Sequence, residues 1–219
     1  MKLETRVADA IEKLAEDHGA TVKYKEDSLL MKIIGWPLSF INKTFSSTFA
    51  TTIGKTIYLP SKTMKKRRPR NYSIMLAHEL MHVVDHKNDV MFGVKYLCPQ
   101  VLGFLALLAI PFSLFNLLWL LCFFPWPAYW RTKSESRGYA VTIAMIYWLD
   151  GSQTKSEWMV KHFTGGNYYY MWPFEDDVKR DLDAIKVRVA NDDILNLDPL
   201  LVELKEIIAR ERANEKRSS

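Results

Sequence analysis

His78-Glu79-Leu80-Met81-His82, set in the run Tyr72-Ser73-Ile74-Met75-Leu76-Ala77 before it and Val83-Val84 after it, decides how the chain is read. The flanks are apolar, and the spacing predicts a helix from near Asn71 to about Lys87. On a helix, residues four apart lie on one face, one turn above the other. Two imidazoles so placed can close on one Zn²⁺ at about 2.0–2.1 Å each. Glu79, beside the first histidine, projects toward the open coordination position, where it can take a proton from water. A chance match would leave two imidazoles inside an apolar helix with nothing to bind, which is costly.

Working outward toward the N-terminus, residues 3–18 read as an amphipathic helix with Val7, Ile11 and Leu14 on one face. Thr21–Lys25 and Leu29–Ile34 read as strands. Phe49–Ile53 and Thr56–Leu59 flank Gly54-Lys55, a hairpin signal because glycine takes positive φ at no steric cost. Ala50–Leu59 is the candidate sheet edge against which an extended peptide could pair beside the metal, or else an ordinary strand. Met1-Lys2-Leu3-Glu4-Thr5-Arg6 has no apolar run of the kind that opens a secretory signal. Cys98 and Cys122 sit among apolar residues and read as buried, inert thiols in a reducing cytosol. Length and composition suit one domain, 1–219, and a net charge of +5 favours anionic surfaces without requiring them. Lys65-Lys66-Arg67-Arg68-Pro69-Arg70 reads as a solvated basic loop, or as a contact for anionic lipid. No aromatic platform interleaves it, so nucleic acid is not expected as a partner.

From Tyr96 through Trp130 the sequence carries no charge. Its centre, Val101–Phe124, is long enough for one membrane crossing. A single crossing would, however, put His78 and His82 on the opposite side from everything after Arg131. Pro111 interrupts the run, so two short helices, about 96–110 and 114–128, are expected to form an apolar hairpin. Each would be about 22 Å long, short of a roughly 30 Å hydrocarbon core. Lys87 and Lys95 on one flank, and Arg131, Lys133 and Arg137 on the other, suit a hairpin that dips into one leaflet from the cytoplasmic face. Tyr96, Trp126, Tyr129 and Trp130 would then sit at one headgroup interface. The alternative is a soluble cytoplasmic protein in which 96–130 forms a buried hairpin or a lid.

A catalytic zinc needs a third protein ligand. Asp85, His86, Glu135 and His162 are the downstream candidates. His86 lies two turns from His78, about 12 Å along the axis, too far to share one ion. Asp85 would point away, as a supporting or capping residue. Glu135, just past the insert in Ser134-Glu135-Ser136-Arg137-Gly138-Tyr139-Ala140, fits best.

This arrangement resembles the membrane-associated gluzincin metallopeptidases related to the heat-shock protease HtpX and the CAAX prenyl proteases. In those, an H-E-x-x-H helix is followed by a hydrophobic pair of segments and then a helix with a ligand glutamate in an E-A-D-x-x-A-like motif. Here Glu135 and Ala140 match the first and last positions of that motif, and Arg137 stands where the aspartate would be. The resemblance covers roughly residues 45–150 and lacks the two N-terminal membrane segments of those proteases. It is closer to compact peptidase relatives in bacteria and their phages. It implies an α+β, zincin-like domain: a small N-terminal sheet, the H-E-x-x-H helix and an inserted apolar helical hairpin. The implied activity is zinc-dependent hydrolysis of peptide or protein substrates, with His78, His82 and Glu135 on the metal and Glu79 as general base.

Toward the C-terminus, Ser156–Phe163 reads as a short helix ending at Gly165-Gly166. The aromatic stretch Asn167–Phe174 follows. His162, Tyr168, Tyr169 and Tyr170 are candidate oxyanion donors, or else packing aromatics. A helical extension over 175–219, with helices at 175–189 and 199–214, completes the chain, and its charged tail is expected to fray. A non-catalytic membrane protein with zinc as a structural staple is the rival to the enzyme reading. The sequence leaves substrate identity and oligomeric state open.

Overall fold

Helices dominate because apolar residues recur at helical spacing through most of the chain. The computed structural model describes residues 2–38, 47–103, 114–124, 126–166 and 169–218. In chain order these form α1 (Leu3–Asp17), β1 (Thr21–Tyr24), α2 (Leu29–Leu38), β2 (Thr51–Ile53), β3 (Thr56–Leu59), α3 (Met64–Arg67) and α4 (Pro69–Asn88). Then come α5 (Phe92–Leu97), a 3-10 helix (Leu114–Phe123), α6 (Tyr129–Asp150), α7 (Glu157–Thr164), α8 (Glu175–Ala190) and α9 (Pro199–Ser218). Short 3-10 turns cover Lys25–Asp27 and Asp193–Asn196. The architecture is α+β, mostly helical with one small sheet.

α4 is the central element. It packs on α1 on one side and on α6 on the other, while α6 also carries α8 and α9. Val7, Ile11 and Leu14 of α1 meet Leu76 and Leu80 of α4 in the same core as Ile143 and Met145 of α6 and Leu200 and Leu204 of α9. Pro69 opens α4 in its first turn, where a missing N–H costs nothing. Asp198 starts α9 by accepting a hydrogen bond from the Leu200 amide at 3.0 Å. α9 stays helical to Ser218, beyond the expected limit at 214 and through the tail expected to fray.

The sheet has the order β1-β3-β2. β1 runs parallel to β3, with Val22 opposite Ile57, and β2 runs antiparallel to it, with Thr52 opposite Ile57. Gly54, at φ +60°, makes the expected hairpin turn. Of the Ala50–Leu59 segment, β3 is therefore central and β2 alone is the edge.

Two expectations are corrected. Leu29–Ile34 is the start of α2, not a strand. Met31 and Gly35 are buried and Ile34 partly so, which is helical rather than alternating spacing, and Ser28 Oγ accepts from the Met31 amide at 3.3 Å as an N-cap. Where it is described, the insert departs from the two α-helices expected at 96–110 and 114–128. α5 starts earlier, at Phe92, and ends at Leu97, ahead of Pro99, which has no N–H to give. Residues 100–103 are helical again, up to the limit of the described residues, and Leu114–Phe123 form the 3-10 helix. The turn expected around Pro111 lies outside the described residues. Cys98 and Cys122 are free and half-buried rather than buried. Among the described residues, no helix is long and apolar enough to cross a membrane.

Part of the basic run is consumed internally. Lys65 pairs with Asp9 at 2.7 Å and with Glu12, and Arg70 pairs with Asp150.

Candidate metal centre

Where α4 crosses α6, six polar side chains are buried together: His78, Glu79 and His82 from α4, and Ser134, Glu135 and Thr142 from α6. Close approach of the two helices requires Gly138. A Cβ there would lie 2.6 Å from His78 Nε2. A glycine inside a helix ordinarily costs stability, and here it makes room for the imidazole.

His78, His82 and Glu135 form a group that can hold a metal ion. Glu135 Oε2 is 3.5 Å from His78 Nε2, and Glu135 Oε1 is 3.8 Å from His82 Nε2. Ligands at about 2.0–2.1 Å in tetrahedral array stand roughly 3.3 Å apart, and the three ligand atoms here lie within 4.8 Å of one another, so they would draw together to seat an ion. His86 instead stacks near Phe92, with centroids 5.7 Å apart, and does not join the group.

The outer nitrogens explain which way the rings face. Thr142 Oγ1 donates to the Gly138 carbonyl at 3.2 Å and so accepts from His78 Nδ1–H at 2.9 Å. Ser134 Oγ donates to Asp85 Oδ2 at 3.3 Å and accepts from His82 Nδ1–H at 3.1 Å. Both rings are thereby fixed with an unprotonated Nε2 aimed at Glu135. Such partners orient metal-binding histidines and raise their basicity. Arg137 holds Asp85 in turn, through Nε to Oδ1 at 2.9 Å, and also pairs with Asp198 at 2.7 Å. The carboxylate near the ligands thus comes from Asp85 on α4, while position 137 supplies the cation that holds it. Burial pushes the Asp85 carboxyl up, and Arg137 and His82 oppose that shift.

Two lone pairs and a carboxylate converge on one point, and that demands a positive charge. Glu135 is 2% exposed, and its Oε2 has no hydrogen-bond partner. Burial would raise its pKa, but the hydrogen bond and charge that the imidazoles supply when they carry a proton, with the Tyr96 hydroxyl, which donates to Oε1, outweigh burial and bring it down to about 2. Burial would lower His78, but Glu135 raises it above its ordinary value. A proton is drawn to the same spot as a cation. The residues fit a divalent metal.

Glu79 Oε2 accepts from Thr52 Oγ1 on β2 at 2.7 Å, so the edge strand touches the carboxylate next to His78. Lys25, at the end of β1 and 3% exposed, has its ammonium pushed down to about 8 by burial, with the Glu79 carboxylate opposing. A cleft of about 400 Å³ opens on this side, and His78, Glu79, Tyr139 and His162 are among its lining residues. His162 Nδ1 hydrogen-bonds the Tyr139 hydroxyl, and the Tyr139 ring packs edge-on against His78 at 5.1 Å. Of the other suggested oxyanion donors, Tyr169 gives its hydroxyl to the Phe123 carbonyl, and Tyr170 is exposed near Gly166. Neither is among the described lining residues. Tyr168 lies outside the described residues.

Sequence reasoning missed Ser134, Thr142, Tyr96, Thr52, Gly138 and Lys25. Gly138 had a signal, a glycine inside an apolar helix. The hydroxyl residues had none until the phase of α6 against α4 was known.

Comparison of the chain with protein-family models, with curated proteins and with solved structures finds no match.

Proposed function

We propose that the chain is a zinc-dependent endopeptidase of gluzincin type and zincin-like fold that works at a membrane surface. The observation that carries this reading is the convergence of His78 Nε2, His82 Nε2 and Glu135 on one point, with Glu79 beside it at a cleft and a sheet edge. When bound there, Zn²⁺ supplies Lewis acidity, which makes water a competent nucleophile near neutral pH. Glu79 takes the proton from that water and passes it to the leaving amine. Thr52 fixes the Glu79 carboxylate, and the open side of β2 offers backbone groups to an extended peptide. His162, held by Tyr139, is the best-placed donor to the developing oxyanion. Burial lowers its pKa, so it serves as a neutral N–H donor.

Membrane contact rests on a separate observation. Leu118, Leu121 and Phe124 recur every third residue along the 3-10 helix and its end, so they line one face, and they are 62%, 59% and 62% exposed. Cations flank the insert: Lys95 lies over the Trp130 ring at 5.3 Å and Arg131 over Tyr96 at 5.4 Å. An apolar ridge over a basic, aromatic base suits a leaflet containing anionic lipid.

Glu79→Gln is the direct test of the chemistry. It should retain zinc and lose cleavage of an unfolded protein substrate by about 100-fold or more. Cleavage by the wild type should stop with chelator and return with zinc. Wild-type turnover by the Gln variant would remove Glu79 as base. Tight zinc binding with no cleavage by any form would favour the structural-zinc alternative.

A further inference from the structure

The cleft beside Glu79 is built for one kind of occupant. One wall comes from α4, where Arg70, Asn71, Ile74 and Met75 lead to His78 and Glu79. Eight residues of helix separate Arg70 from His78, so that wall runs about 12 Å from the metal point. The facing wall is Tyr139, Thr142 and Ile146 of α6, and Phe49 and Trp158 close the sides. Between the metal end and the far rim the lining is therefore mostly apolar, with Ile74, Met75, Ile146, Phe49, Ala50 and Trp158 beside the Thr48 hydroxyl. The volume, about 400 Å³, is at the small end of ligand pockets and suits a side chain better than a folded segment.

Charge decides what kind of side chain. Arg70, at the far rim, is not available to an anion: Asp150 takes its Nε at 2.9 Å and its outer guanidinium nitrogen as well. An acidic side chain entering the cleft would meet an already neutralised arginine, and a basic one an already neutralised aspartate. The carboxylate in the lining, Glu79, already accepts from Thr52 Oγ1 at 2.7 Å, so a charged side chain would lose its hydration against largely apolar walls for little return.

We infer that this cleft is the specificity pocket of the centre, and that it takes a bulky uncharged apolar side chain, of leucine, methionine or phenylalanine type, next to the scissile bond. The inference rests on the peptidase reading for its substrate, but the pocket is tested by binding alone. The probes are peptide hydroxamates identical except for one side chain (leucine, phenylalanine, glycine, aspartate or lysine), titrated calorimetrically into the zinc-loaded full chain. The leucine and phenylalanine ligands should bind roughly tenfold or more tighter than the glycine ligand, and the two charged ones no tighter than glycine. Met75→Trp and, independently, Ile146→Trp fill the cleft from opposite walls, and each should bring the leucine ligand to the level of the glycine ligand. Equal affinities across the series, tightest binding of a charged ligand, or a leucine advantage that survives both filled variants would overturn the assignment. An apolar preference in binding without cleavage of any peptide would keep the pocket and remove the peptidase reading. Cleavage that ignores this side chain would keep the enzyme and remove the pocket.

Discussion

The crossing of α4 and α6 and the 96–130 insert break the usual distribution of residues in opposite directions. At the crossing, histidines and acids are buried. In the insert, leucines and aromatics are exposed. Burial of ionisable groups is tolerated only when they are paired or hold a metal, and here each outer nitrogen is partnered while Glu135 Oε2, between the two rings, has no hydrogen-bond donor. Exposure of a continuous apolar ridge marks a surface that meets something else. Under the proposed function, the first departure is answered by an ion and the second by a lipid surface. They are joined physically: Tyr96, at the root of the insert, donates to Glu135, and Arg131 donates from Nε to the Tyr96 carbonyl at 3.0 Å.

The largest effect that would break this contrast lies in the insert. Each apolar side chain taken from water into a leaflet contributes about 1.5–3 kcal/mol. Leu118→Ser, Leu121→Ser and Phe124→Ser combined should therefore weaken association with vesicles containing anionic lipid by about 100-fold or more, read by flotation, with zinc binding unchanged. Undiminished flotation would assign membrane contact elsewhere or nowhere. A smaller effect belongs to the buried side. Asp85→Asn leaves Arg137 with Asp198 alone and loosens Ser134 from His82, so zinc affinity should fall about 10–100-fold in a chelator competition. Unchanged affinity would mean that the relay through Ser134 does not orient the ring.

How far the sequence could be read follows the same division. His78, Glu79 and His82 were legible because three residue types at fixed helical spacing have one common use. Glu135 was reached by elimination, since His86 lies too far along the same helix and Asp85 was expected to point away; in the structure Asp85 lies 4.0 Å from the outer nitrogen of His82. Arg137 was legible as a departure but not as a solution. Only the packing of α4, α6 and α9 shows it bridging Asp85 and Asp198. α2 was misread because a six-residue apolar run carries no decisive period, although Ser28 marked a helix start. The insert was misread at Pro99, which stops α5, and in its second arm, where apolar composition does not distinguish an α-helix from a 3-10 helix.

The smallest expected effect concerns Lys25, a third buried charge beside the centre. Its pKa in the folded chain, about 8, lies below the ordinary 10.5. Between those values the folded state binds fewer protons than the unfolded state, so this group makes stability rise with pH across that window, and below about pH 8 its penalty is constant. Lys25→Met should flatten that rise, by roughly a few °C in Tm between the ends of the window. Identical slopes in the two proteins would mean that the ammonium is not held in the buried environment described.

The central claim is that a single ion is gripped by two imidazoles from α4 and one carboxylate from α6. Zinc stoichiometry and affinity of the wild type against Glu135→Ala test it most directly. The account predicts one zinc per chain in the wild type, and a loss of affinity of about 100-fold or more when the carboxylate is removed. A wild type that retains no zinc, or a Glu135→Ala protein that binds it as tightly as before, would contradict the account.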